Sequence, residues 1–191
     1  YNAQFTPVID ITDPVGGTLI RIETDHVHGG SDNCIRAEYI TRKGRQQYES
    51  LGWMNGDTLY IRYPQESSLT VHSVAFRETG YNAEFKGKFH CSDGFINRFR
   101  EKALRTLYVN MRDTYFDCPD RERAQWWGDV TILMGESFYQ LSPDANMLTW
   151  KAIRELVNWQ RGDSTLFSPI PAQNYNSELP AQMLASISTY G

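Results

Sequence analysis

The sequence predicts an α+β chain in which an antiparallel β-sandwich is followed by helices. Three observations predict it. The first ninety residues carry short β-branched and aromatic runs separated by turn residues. Near Ser92 and Asp93 the apolar period lengthens to one residue in four, the spacing of a helix face. Hydrophobic residues make up 40% and aromatics 13% of 191 residues, enough for a packed core in one domain or parts of two.

The strands are expected at residues 18–24, 34–40, 58–63 and 69–76, each short and partly alternating. Turn signals at 14–17, Gly29-Gly30, Lys43-Gly44, 55–57 and Gly80 separate them. Many short strands at this spacing suit a sandwich. The first helix aligns Phe95, Phe99, Ala103, Leu107 and Met111 on one face, with Ser92 or Asp93 as N-cap. A second, over about 126–141, places Val130, Leu133, Met134, Ser137 and Leu141 on one face. Ser142-Pro143 opens a third, with Leu148, Ala152, Leu156 and Trp159 inward and Gly162 at its end. Pro180 begins a fourth, near 181–190. Its apolar residues Met183, Leu184 and Ile187 need partners that the sequence does not supply, so the polypeptide is expected to continue. The domains are therefore expected at 1–90, a β-sandwich, and at 91–191, a helical layer.

Composition narrows the functional classes. A net charge of −4 disfavours a phosphate-binding, nucleic-acid partner, and no apolar run approaches the ~18 residues of a membrane span. Cys34, Cys91 and Cys118 form no C-x-x-C pattern. His26 and His28 share one strand face, but no third ligand is spaced for a metal site, and no metal or cofactor is expected. Trp53, Tyr60 and Tyr63 fit sheet packing as well as sugar stacking.

One segment concentrates chemistry. Between the first two helices runs Asp117-Cys118-Pro119-Asp120-Arg121-Glu122-Arg123-Ala124-Gln125-Trp126-Trp127-Gly128-Asp129. Pro119 fixes a bend and holds its predecessor extended, so the loop can aim Asp117, Glu122 and Asp129 at one cleft. Glycoside cleavage needs an acid for the leaving oxygen and a carboxylate as nucleophile or to activate water. Trp126 or Trp127 offers a flat apolar face to a sugar ring, and Asp117, Asp120 and Asp129 can accept from hydroxyls. Two paired guanidiniums would hold Glu122 ionised, so the loop must keep it away from Arg121 or Arg123. The bland reading is a solvated loop with weak surface ion pairs.

The order of these residues resembles the signature of the α-L-rhamnosidases of glycoside hydrolase family 78: Asp-Cys-Pro, Arg, Glu-Arg, then Trp and Gly-Asp. Residues 89–97 also resemble the start of that family's barrel. The resemblance spans roughly residues 55–191 and is sharp in 117–129. It implies that residues 91–191 are the N-terminal part of an (α/α)6-barrel catalytic domain whose remainder lies elsewhere. It further implies an inverting hydrolysis of terminal α-L-rhamnosyl residues with Glu122 as general acid. Asp117, Arg121, Trp126, Trp127 and Asp129 would bind the sugar. The family's general base is a glutamate on a much later loop. Nothing here matches it, Glu178 reading as a helix-start acid, so this chain alone is expected to be inactive. The family is often exported, which implies a periplasmic or secreted location. Gln125, where the family has Gly, and the bulky Trp127 depart from the pattern. They keep open a sugar-binding or altered-specificity member of the fold, beside a non-enzymatic interaction module.

Overall fold

The computed structural model describes residues 2–25 and 35–171, together with 184 and 188. Strands β1 (Ala3–Asp13), β2 (Leu19–Thr24), β3 (Ile35–Ile40), β4 (Gly44–Glu49), β5 (Met54–Gly56), β6 (Leu59–Arg62) and β7 (Thr70–Glu78) precede helices α1 (Gly94–Val109), α2 (Trp127–Gln140) and α3 (Asn146–Asn158). The chain divides into two compact units, Tyr1–Thr79 and Gly80–Gly191.

In the first unit all pairings between strands are antiparallel. β1 lies between β7 on one side and β4 and β5 on the other, while β2 lies between β3 and β6. Ile9 and Ile11 of β1 and Ile20 and Ile22 of β2 are buried with Ala3, Phe5 and Met54 in one core. Burial at every second residue is what the two-residue strand period dictates. The expected strands are present as β2, β3, β6 and β7. β1, β4 and β5 are not among the expected elements, and β5 overlaps residues 55–57, expected as a turn; in β1, Pro7 and the acids are locally unfavourable to a strand. The sheet accommodates them. Ser50 N donates to the Pro7 carbonyl at 3.1 Å, so the missing Pro7 N–H faces the same side, at the gap between the β5 and β4 pairings.

The acids of β1 are satisfied rather than solvated. Arg45 donates to both Asp10 carboxylate oxygens at 3.1 and 3.0 Å, and Gln47 adds a third bond. Asp13 accepts from Val15 N, Gly16 N and the Thr18 and Thr41 hydroxyls. Gly16 is required there: its φ is +86°, and a Cβ would stand 2.8 Å from Lys43 N. The Arg45 hydrogen bonds push the Asp10 pKa down to about 2. The Thr18 and Thr41 hydroxyls, with Gly16 N, lower that of Asp13 further. Carboxyls depressed in the folded state stabilise it above their unfolded pKa of about 4, and this contribution is lost as pH falls toward 2. The thermal midpoint of the sheet signal in circular dichroism should therefore drop between pH 4 and pH 2. Asp13→Asn should lower the midpoint at pH 7 and flatten that acid limb. A variant with the unaltered pH profile would show that Asp13 is not its source.

The second unit begins before the change of sequence period. Residues 80–90 contain no helix, yet they are bound to the helical layer. Tyr81 donates to the Asp144 carbonyl at 2.7 Å, Glu84 and Ser142 exchange backbone and side-chain bonds, and Lys86 and Gly87 both donate to the Gln140 carbonyl. At Gly87 a Cβ would run into the Tyr139 carbonyl. Asp93 caps α1 by accepting from Phe95 N at 2.7 Å. Ser142 precedes a 3-10 turn, Pro143–Ala145, which leads into α3. The core joins Leu107 of α1, Val130, Leu133 and Met134 of α2, and Leu148, Ala152 and Leu156 of α3. Phe95 and Phe99, on the expected inner face of α1, are instead 63% and 61% exposed. Cys34, His26, His28, Glu178 and most of the expected fourth helix lie outside the described residues.

Candidate active site

The loop between α1 and α2 is anchored at both ends. At its start Phe116 N donates to the carbonyl of Asn110, the C-cap of α1, at 2.8 Å. The neighbouring Tyr115 is fully buried, and its hydroxyl meets Ser137 Oγ of α2 at 3.1 Å and Thr149 Oγ1 of α3 at 3.0 Å. A buried phenol satisfied by two hydroxyls holds the loop to both helices.

The reactive segment is then closed into a ring. Asp117 N donates to the Ala124 carbonyl at 3.0 Å, and Ala124 N returns a bond to Asp117 Oδ1 at 3.1 Å. Pro119 is buried, and Arg123 adopts a left-handed φ of 51°. That conformation turns the Arg123 side chain back, where Nε donates to the Pro119 carbonyl at 2.8 Å. Arg121 pairs with Glu122, through Nη2 on Oε1. On the other carboxylate oxygen, Cys118 Sγ donates to Oε2 at 3.1 Å. The Nε of Arg123 is thus engaged by the Pro119 carbonyl.

The ring brings Asp117 and Glu122 together. Ligand atoms of Asp117, Cys118 and Glu122 all lie within 4.8 Å of one another. Two carboxylates and a thiol at this spacing could hold a cation or share one polar group of a substrate. The Glu122 side chain is 24% exposed and so reaches solvent without being bathed in it. Asp120 is half-buried, and Asp129 is exposed in the first turn of α2, where a negative charge complements the helix N-terminus.

The two tryptophans separate. Trp126 is the N-cap residue of α2 and half-buried. Trp127, expected beside it as a sugar platform, is fully buried in the helical core and presents no face to a ligand. Gln125 also points inward. It is 2% exposed, its amide donates to Glu155 of α3, and its backbone pairs both ways with Ile170 at 2.9 and 3.2 Å. The volumes of Gln125 and Trp127 are therefore absorbed by the interior rather than added to an open cleft.

Sequence reasoning misses three contributors. Cys118 touches Glu122 across one turn of the loop, a contact that the i, i+4 spacing could have suggested. Glu155 and the 168–170 segment reach the loop from far along the chain, and no local signal announces them. The residues leading into that segment border a cavity of about 550 Å³ lined by Gln160, Arg161, Gly162, Asp163 and Phe167. Arg161 lies over the Phe167 ring at 5.1 Å, and the Thr165 hydroxyl and amide lower the Asp163 pKa.

A family model described as the bacterial alpha-L-rhamnosidase 6 hairpin glycosidase domain matches residues 84–183, more than half of the chain. Among solved structures, the GH78 family rhamnosidase of Bacillus sp. GL1 is similar over 98% of this chain, with a TM-score of 0.78 and 21% identity. The α-L-rhamnosidase of Dictyoglumus thermophilum is likewise similar over 98%, with a TM-score of 0.75 and 22% identity. At such identities the likeness shows a shared fold. This chain covers 20% and 22% of those two chains, so it spans about a fifth of their length. No curated protein matches it.

Proposed function

Because the chain belongs to the bacterial α-L-rhamnosidase 6 hairpin glycosidase family, we propose that it carries the general-acid half of an inverting glycosidase. That enzyme would release terminal α-L-rhamnosyl or related deoxysugar residues from glycosides or polysaccharides. The observation that carries the reading is the ring of residues 117–124, which sets Glu122 beside Asp117 and engages the Arg123 Nε on the Pro119 carbonyl. Glu122 gives its proton to the glycosidic oxygen as the bond to the anomeric carbon breaks. Water attacks the opposite face of that carbon, and its proton passes to a carboxylate supplied by the rest of the barrel. An inverting pair stands roughly 6.5–9.5 Å apart, leaving room for that water. Asp117 and Asp129 accept from sugar hydroxyls, Arg121 donates, and Trp126 supplies the apolar wall. An exported protein, periplasmic or secreted, fits such substrates.

The rival of a non-enzymatic module loses support from the closeness of Asp117 and Glu122. The rival of an altered pocket loses support from the inward placement of Gln125 and Trp127.

The test is a panel of aryl glycosides given to the full-length protein that contains this sequence, with the first-formed sugar anomer read by proton NMR. Hydrolysis of the α-L-rhamnoside with β-L-rhamnose appearing first is expected. Appearance of the α-anomer first would overturn the inverting mechanism, and inertness toward α-L-rhamnosides with cleavage of another glycoside would overturn the substrate. Residues 1–191 alone should give no turnover in the same assay.

A further inference from the structure

The thiol of Cys118 touches the residue on which the proposed chemistry turns. Its sulfur lies 3.1 Å from Glu122 Oε2, while the backbone N–H of Arg121 approaches the same sulfur at 3.4 Å. An N–H aimed at sulfur occupies a lone pair and leaves the S–H free to point elsewhere, here at the carboxyl. Cys118 is only partly buried and forms no disulfide. Pro119 follows it, buried and unable to donate, so the backbone at this bend is rigid. The two oxygens of Glu122 are therefore distinguished. Oε1 faces the Arg121 guanidinium, which can only donate. Oε2 receives a weak thiol donor and keeps a second lone-pair direction for the proton to be delivered.

We propose that Cys118 is a positioning residue for Glu122: its S–H fixes the rotation of the carboxyl so that the free side of Oε2 faces the leaving oxygen. This rests on the reading of Glu122 as the general acid and deepens it. A flexible glutamate held only by Arg121, whose own side chain is 65% exposed, would sample several orientations. A second fixed contact on the opposite oxygen removes that freedom. The thiol suits the task because it donates weakly. It orients the carboxyl without adding a second positive charge beside it.

The test exploits the leaving group. Proton donation matters most when the departing oxygen is strongly basic and least when it is an activated phenol. In the full-length enzyme, Cys118→Ala should lower kcat roughly tenfold on an alkyl α-L-rhamnoside or rhamnosyl disaccharide. On a dinitrophenyl α-L-rhamnoside the loss should be less than about twofold, with KM unchanged on both. Cys118→Ser, which keeps a hydroxyl donor, should recover most of the activity. Cys118→Val, close to cysteine in shape but without a donor, should behave as Ala does and serves in its place if the smaller side chain impairs folding. Equal losses on both leaving groups, no loss on either, or full activity in Val would overturn the positioning role. Those results are separable from failure of the wider reading, in which the unaltered enzyme would cleave no rhamnoside or would keep its activity without the Glu122 carboxyl.

Discussion

On the proposed function, Glu122→Gln in the full-length protein should lower kcat at least ~100-fold on an alkyl α-L-rhamnoside, the loss expected when a general acid is removed. The amide keeps the shape of the side chain: its one carbonyl oxygen can still accept from Arg121, and its NH2, in place of Oε2, can donate to the Cys118 sulfur, so the loop of residues 117–124 should keep its ring of hydrogen bonds. What the amide lacks is a proton to give. The loss should therefore fall on kcat, with KM near its original value, because sugar binding does not depend on that proton. On an activated aryl glycoside the defect should shrink, since the departing phenolate needs less protonation. Steady-state kinetics on both substrates reads this directly. Near-normal turnover on the alkyl substrate would remove Glu122 from the chemistry, and an increase in KM alone would make it a binding residue.

The second large effect is on stability. Trp127→Ala should destabilise the helical unit by about 3–5 kcal/mol, the range for a fully buried large aromatic. Trp127 is 0% exposed and packs in the cluster that contains Leu107, Met111, Tyr115, Val130 and Leu156. Its loss opens a cavity where the first turn of α2 meets the anchor of the 117–124 ring, so folding and loop geometry should fail together. Against a total stability of about 5–15 kcal/mol for an ordinary domain, that loss is visible as a lower urea midpoint and weakened helical circular dichroism. Trp127→Phe keeps a ring in the cavity and drops an indole N–H that is buried without a partner among the described residues, so it should cost much less. A small effect for Ala would mean that the indole is not in the core, and Trp127 would return as a candidate sugar platform.

The helical unit was largely legible in the sequence, and the physical reason is that helix information is local. A face repeats every three or four residues, so Val130, Leu133, Met134 and Ser137 announce their burial within about two turns of helix. The place of Ser92 and Asp93 before the apolar series announces an N-cap for α1, and Asp93 fills it. The expectation failed for Phe95 and Phe99 because periodicity says which residues share a face and not what covers it. The β unit was less legible. β1 carries Pro7, Asp10 and Asp13, each a local argument against a central strand. Their compatibility with one depends on Ser50, Arg45, Thr18 and Thr41, which approach only once the sheets have formed.

The candidate site divides in the same way. By itself the sequence determined which residue types are gathered between α1 and α2, because thirteen consecutive residues supply carboxylates, guanidiniums and indoles that no folding step can change. Only the tertiary structure decided how they are used. Arg121 pairs with Glu122, while a left-handed φ at Arg123 sets its Nε on the Pro119 carbonyl. Whether Trp126 or Trp127 faces outward depends on where α2 meets its core, and the inward turn of Gln125 depends on Glu155 and Ile170, at least thirty residues away. Composition is written along the chain, whereas orientation is set by contacts between segments that become neighbours only on folding.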